Sequence, residues 1–114
     1  EVGIDRNQVK IIGELSKIYI PPSRFLVTPF LGYTDIRPGF RAEPKEVAEI
    51  IEAPLKSFLN PANIKKKPIF VKVFNQEVEV KYFDIQGHTI WGATAMMLSE
   101  LAEIIVNHKA NQIF

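Results

Sequence analysis

The sequence predicts an α+β domain, a mixed or antiparallel sheet with a packing helix at its C-terminal end. Three observations lead there. Short β-branched and aromatic runs alternate with Pro and Gly turns through the first half of the chain. Two alternating runs between residues 69 and 82 are spaced as a hairpin. Residues 91–107 repeat apolar side chains at helical spacing.

In chain order, residues 9–15 are β-branched and read as a strand, which residues 17–20 extend after an irregular step. Pro21 and Pro22 break it. Residues 24–34 form an apolar run holding Pro29, which has no N–H to give a ladder, so that position is expected at an edge or a bulge. Residues 35–40, with Pro38 and Gly39, read as a loop. Residues 42–60 are ambiguous. Glu43, Glu46, Glu49 and Glu52 recur every third residue behind Pro44 and favour a helix, whereas Ile50, Ile51 and Pro54 favour a strand ending at the proline. Residues 55–59 read as one helical turn stopped at Asn60-Pro61.

With Asn75-Gln76 as the turn, Val73 would face Val78, Val71 would face Val80, Ile69 would face Tyr82, and Lys72 would meet Glu79. Gln76 is a poor second residue for a type I′ turn, so a longer loop stays open. Gln86-Gly87-His88 is a further turn. In the final helix Ala93, Met97, Leu101, Ile104 and Ile105 share one face, which Ala95, Met96 and Leu98 widen; Ser99, Glu100 and Glu103 lie towards the other side, and His108 and Lys109 suit the helix end.

Composition narrows the function. The 114 residues are 46% hydrophobic and 24% charged, enough for one globular domain or part of one. The chain has no cysteine, which excludes disulfides and thiolate metal sites and suits a reducing compartment, so it is read as cytoplasmic. A net charge of +1 gives no overall field to recruit nucleic acid or an anionic membrane, and no apolar run approaches the about 20 residues a bilayer span needs.

No phosphate-loop, dinucleotide-binding or metal-spaced histidine pattern is present. His88 is read as structural or exposed, residues 65–67 (Lys-Lys-Lys) as a solvated loop, and Trp91 as core beneath the last helix. The glutamate series could offer carboxylates to Mg²⁺, or form a charged face.

Three stretches, "IYIPPSRFLVTPFLGY" at 18–33, "EPKEVAEIIEAPL" at 43–55 and "YFDIQGHTIWGATAMMLSEL" at 82–101, make the chain resemble the C-terminal part of a Nudix hydrolase, nearest the coenzyme A pyrophosphatase-like branch. Glu1-Val2-Gly3-Ile4 matches the closing E-x-G-U of that family's catalytic box, where U is bulky and aliphatic. The resemblance implies a partial α/β/α sandwich over residues 1–114, lacking the upstream strands and the catalytic helix. It also implies a turn at 44–47, a strand to about residue 53 and then a short helix.

The activity implied is hydrolysis of a pyrophosphate bond in a nucleoside diphosphate linked to another group, with Mg²⁺ or Mn²⁺ as cofactor. Glu1 stands at the box's metal-ligating glutamate, Glu46 is the candidate auxiliary ligand or general base, and Arg41 and Arg24 are candidate phosphate contacts. A lone carboxylate beside an α-ammonium group does not make a divalent-ion site, so the 114-residue chain alone is expected to be inactive. The alternative is a non-catalytic α+β module that self-associates through exposed strand edges.

Overall fold

A computed structural model describes residues 3–21 and 23–113, with side chains described as far as residue 107. It is α+β, built from antiparallel strand pairs and one C-terminal helix. Strand β1 (Lys10–Glu14) pairs with β4 (Phe30–Tyr33), and β2 (Ile18–Ile20) pairs with β3 (Phe25–Val27). These pairs are two stretches of one bent hairpin. Between them the Leu15 N–H donates to the Pro29 carbonyl at 2.9 Å. The ladder parts at Pro29 because proline offers no N–H, and the irregular step expected after residue 15 sits opposite it.

The same break turns Ser16 towards the last helix. Its N–H lies 3.0 and 2.9 Å from the two Glu100 carboxylate oxygens and its hydroxyl donates at 2.6 Å, tying the hairpin to a residue 84 positions away.

The main sheet runs β5 (Ile64–Val71), β6 (Gln76–Ile85), β7 (His88–Ile90), all antiparallel. The hairpin expected between residues 69 and 82 is present, but its register differs: Ile69 faces Val78, Val71 faces Gln76 and Lys65 faces Tyr82. Residues 72–75 form a longer turn in which the Phe74 N–H donates to Val71 O and the Asn75 N–H to Lys72 O, both at 3.1 Å. Asn75 takes the positive φ of 50° that closes it, a conformation Asn tolerates better than Gln76 would. The slip is even-numbered, so the alternation of faces survives.

The lysine run lies in strand β5 rather than in a loop. Lys67 Nζ donates to Thr89 Oγ1 at 2.7 Å and sits 4.7 Å from the Tyr82 ring centroid. Lys65 is paired with Asp84. The hydrogen bond and the charge of Asp84 hold the Lys65 ammonium above its ordinary pKa. A raised folded-state value stabilises the fold fully below the ordinary lysine pKa, and that stabilisation is lost as pH rises through the folded-state value. Urea midpoints for the native chain and Lys65→Met should therefore differ at neutral pH and converge at strongly alkaline pH; a constant gap would show that the ion pair contributes nothing.

Helix α1 (Gly92–Ile113) packs against the end of β6 in this sheet and the turn at residues 55–58. Its contact runs through Ala95 and Leu98, which pack on Phe58, Phe83 and Ile85 with Ala53 and Ile90. Ala95 and Leu98 both belong to the residues expected to widen the apolar stripe, so the contact falls at the margin of that face rather than at its centre, and Ile104 is 47% exposed. A broad apolar stripe leaves the docking angle to the sheet's shape. Trp91 is also not core: at 41% exposed it lines an apolar groove with Ile20, Phe74, Val80 and Met96. The side chains of His108 and Lys109 lie outside the described residues.

The turn at Pro44 and the short helical turn Leu55–Phe58 are as expected. The strand expected up to residue 53 is absent among the described residues. A strand needs a backbone partner about 4.8 Å away, and no strand pairs with this segment among the described residues.

The accessible surface is 9068 Å², whereas a folded monomer of this mass has about 6,300 Å². The radius of gyration is 16.0 Å, against about 13 Å for a closed domain of this length. Large apolar side chains contribute to that surface, among them Ile11 at 63% exposed and Phe25 at 68% in the bent hairpin.

Candidate functional site

Glu46 closes a tight turn. Pro44 suits the second position of such a turn by its fixed φ, and the Glu43 carbonyl accepts from the N–H groups of Glu46 at 3.0 Å and Val47 at 2.8 Å. The Glu46 side chain is left exposed to solvent.

Gly3 lies against the chain just before this turn. Its φ is +78°, and a Cβ there would stand 3.1 Å from both the Arg41 backbone nitrogen and the Arg41 Cβ. Only a residue without a side chain makes that approach in that conformation without strain. Gly3, Arg41, Ala42, Glu43 and Pro44 enclose a cleft of about 220 Å³. The glycine of the box-like segment is thus set beside Arg41 and at the foot of the Glu46 turn.

The other assignments fare differently. Arg24 sits at the tip between β2 and β3, where its N–H donates to Ile20 O at 2.9 Å and its φ is 60°. It is not among the residues lining the Gly3 cleft. Glu1, the expected metal ligand, lies outside the described residues.

The glutamate series disperses rather than converging. Glu43 borders the cleft and Glu46 caps the turn. Glu52 holds Arg37, whose Nη2 lies 2.8 and 2.9 Å from the two carboxylate oxygens, and Glu49 lies 3.7 Å from His88 Nε2. Among the described residues no three His, Asp or Glu side chains are grouped closely enough to hold a metal ion. Mg²⁺ asks for near-octahedral oxygen ligands, so these residues by themselves do not fit the ion the resemblance implies.

Arg37 and Gln86 were not foreseen as part of this region. The Gln86 side-chain amide donates to the Glu52 carbonyl at 2.7 Å. The available signal was the Gln86-Gly87 dipeptide: both residues have positive φ, 53° and 79°, in a two-residue hairpin turn where Asn or Asp would ordinarily precede the glycine.

A scan against models of known protein families finds no match. Curated proteins do match. The uncharacterized Nudix hydrolase NudL of Photorhabdus laumondii is 30% identical over 103 residues, covering 90% of this chain and 54% of that protein. The proteins of the same name from Yersinia pestis and Yersinia pseudotuberculosis are 29% identical over 103 residues, again covering 90% of this chain and 50% of theirs. The chain therefore spans about half the length of the curated relatives it matches. Over 90% of its length the chain is therefore similar to these Nudix hydrolases. No helix among the described residues is long and apolar enough to cross a membrane.

Proposed function

From this kinship with Nudix hydrolases, we propose that the chain supplies the C-terminal part of a pyrophosphohydrolase domain, acting on a nucleoside diphosphate linked to another group. The observation that carries the reading is the seat of Gly3 on Arg41, which puts the closing glycine of a box-like E-x-G-U beside the Glu46 turn. In this reading Arg41 borders the cleft where a pyrophosphate would lie, its guanidinium matching phosphate oxygens. The exposed Glu46 carboxylate is the group assigned in this reading to accept a proton from an attacking water.

A divalent ion, Mg²⁺ or Mn²⁺, would offset the substrate's charge. Glu1 is the residue of this chain assigned to it, and the remaining carboxylates of the box are not among these 114 residues. Coenzyme A is the substrate suggested by the "YFDIQGHTIWGATAMMLSEL" stretch, with nucleoside triphosphates and ADP-sugars as the other members of the class. A cysteine-free chain suits the cytoplasm, where such substrates are found. The coding sequence directly upstream of Glu1 tests this: Arg-Glu and further acidic residues at box spacing are expected, and unrelated sequence would refute it.

A second reading, a module that self-associates, is favoured by the excess surface: 9068 Å² observed against about 6,300 Å² leaves about 2,700 Å² on one chain that association could cover in part. The partner surface would be the bent hairpin, whose Ile11, Phe25 and Phe30 are exposed. Sedimentation should show dimers or larger species of the 114-residue chain; a strictly monomeric, folded chain would count against it.

A further inference from the structure

We propose that Gln86 and Arg37 are positioning residues, acting through Glu52 to hold the loop of residues 37–52 so that Arg41 stays set against Gly3 and the turn closed by Glu46 keeps its shape beside it. The inference rests on the reading of that loop as part of a hydrolytic site.

The loop has little to hold it in shape. Among the described residues its internal backbone hydrogen bonds are the two that converge on the Glu43 carbonyl. It belongs to no strand or helix, and its position depends on how its ends are fastened. Both fastenings meet at one residue. The Glu52 carboxylate takes Arg37 Nη2 at 2.8 and 2.9 Å, which closes the loop end to end. The Glu52 carbonyl takes the Gln86 amide at 2.7 Å, which anchors the closed loop to the β6–β7 turn of the main sheet. Glu49, 3.7 Å from His88, adds a weaker contact between the same two segments. An exposed ion pair alone is worth little, but one that closes a loop also removes the freedom of every residue between its ends.

The second line of argument is the backbone of Gln86. Its φ of 53° places it in the left-handed region, at the first position of a turn that favours Asn, Asp or Gly. A Gln there is strained, and strain of this kind persists where another contact depends on it. The contact is visible: the longer Gln side chain reaches the Glu52 carbonyl, 34 residues away. The turn gives up a better-suited residue in exchange for a tether.

The two roles predict opposite effects of one substitution. In Gln86→Asn the turn gains a preferred residue while the tether is shortened out of reach. The melting temperature should hold or rise, while hydrogen exchange at the Glu46 and Val47 amides quickens by about fivefold to tenfold and trypsin cuts faster after Arg41 and Lys45. Glu52→Gln should also quicken exchange at those amides, and the charge-swapped double variant Arg37→Glu with Glu52→Arg should restore the slower exchange. Unchanged exchange at Glu46 and Val47 in both single variants would overturn the proposal. So would equal acceleration across β5 and β6, or failure of the swap to restore protection. None of these readouts requires hydrolysis, so a failed activity assay would remove the proposed chemistry without touching the tether, and the reverse also holds.

Discussion

Phe83→Ala is expected to destabilise the chain by about 3–5 kcal/mol, the usual cost of emptying a buried aromatic site. Phe83 is 4% exposed and pairs through β6 with Ile64 on one side and Ile90 on the other. Its ring meets Phe58 edge to face, with centroids 5.3 Å apart at 83°. Little else can compensate. The buried cluster comprises Phe58, Phe83, Ile85 and Ala95, and a domain's whole stability is about 5–15 kcal/mol. Urea denaturation gives the comparison. Phe70→Ala, on a residue 56% exposed in the same sheet, should change stability by about 0.5 kcal/mol or less. Equal effects of the two substitutions would show that the core has been misplaced.

Gly3→Ala is the second large expectation, and it tests the site rather than the core. An alanine at φ +78° carries a conformational cost of about 1–2 kcal/mol. Its Cβ would also meet the Arg41 backbone nitrogen at 3.1 Å, so the cost cannot be relieved by rotating a flexible side chain. The segment should lift from Arg41, with shifts in the amide resonances of Arg41 and Ala42. Gly39→Ala is the control: a Cβ there meets nothing within 4 Å and its φ is not in the left-handed region, so stability should stay within about 0.5 kcal/mol. If Gly3→Ala behaves like Gly39→Ala, the seat of Gly3 on Arg41 is not a constraint.

What could be read from the sequence was what local chemistry decides. Pro29 parts the first hairpin because it lacks a donor, and the alternation between residues 69 and 82 marks the inner part of the main hairpin, whose strands run on to residues 64 and 85 through a lysine run that reads as a loop. Register was missed because it turned on which residue takes the positive φ, and Asn75 accepts it at the end of a longer turn. The centre of the packing face of α1 differs from the expected one for another reason. With Ala93, Ala95, Met97, Leu98 and Leu101 all apolar, periodicity does not choose among faces, and the choice is made by Phe58 and Phe83 arriving from elsewhere in the chain. The segment ending at residue 53 is ambiguous in its own residues and a strand only by the resemblance, and it has no strand to pair with among the described residues.

Arg41 and Glu46 were picked out by resemblance, and the cleft at Gly3 brings their segment together with the box-like glycine. Arg24 was picked out on the same ground and lies apart from that cleft, at a hairpin tip. The tether from Gln86 to Glu52 joins residues 34 positions apart through a backbone carbonyl, a contact for which residue identity on one side carries no information.

The most direct measurement is pyrophosphate-bond hydrolysis, with Mg²⁺ or Mn²⁺ and either coenzyme A or ADP-ribose, on the 114-residue chain and on the polypeptide encoded together with the segment upstream of Glu1. The longer polypeptide should release phosphorylated products from one of the two substrates in a metal-dependent manner, while the 114-residue chain stays at background. Robust turnover by the 114-residue chain alone, or none by the longer polypeptide, would contradict the assignment of this chain as the part of a hydrolase that carries Gly3, Arg41 and Glu46 but not a complete metal site.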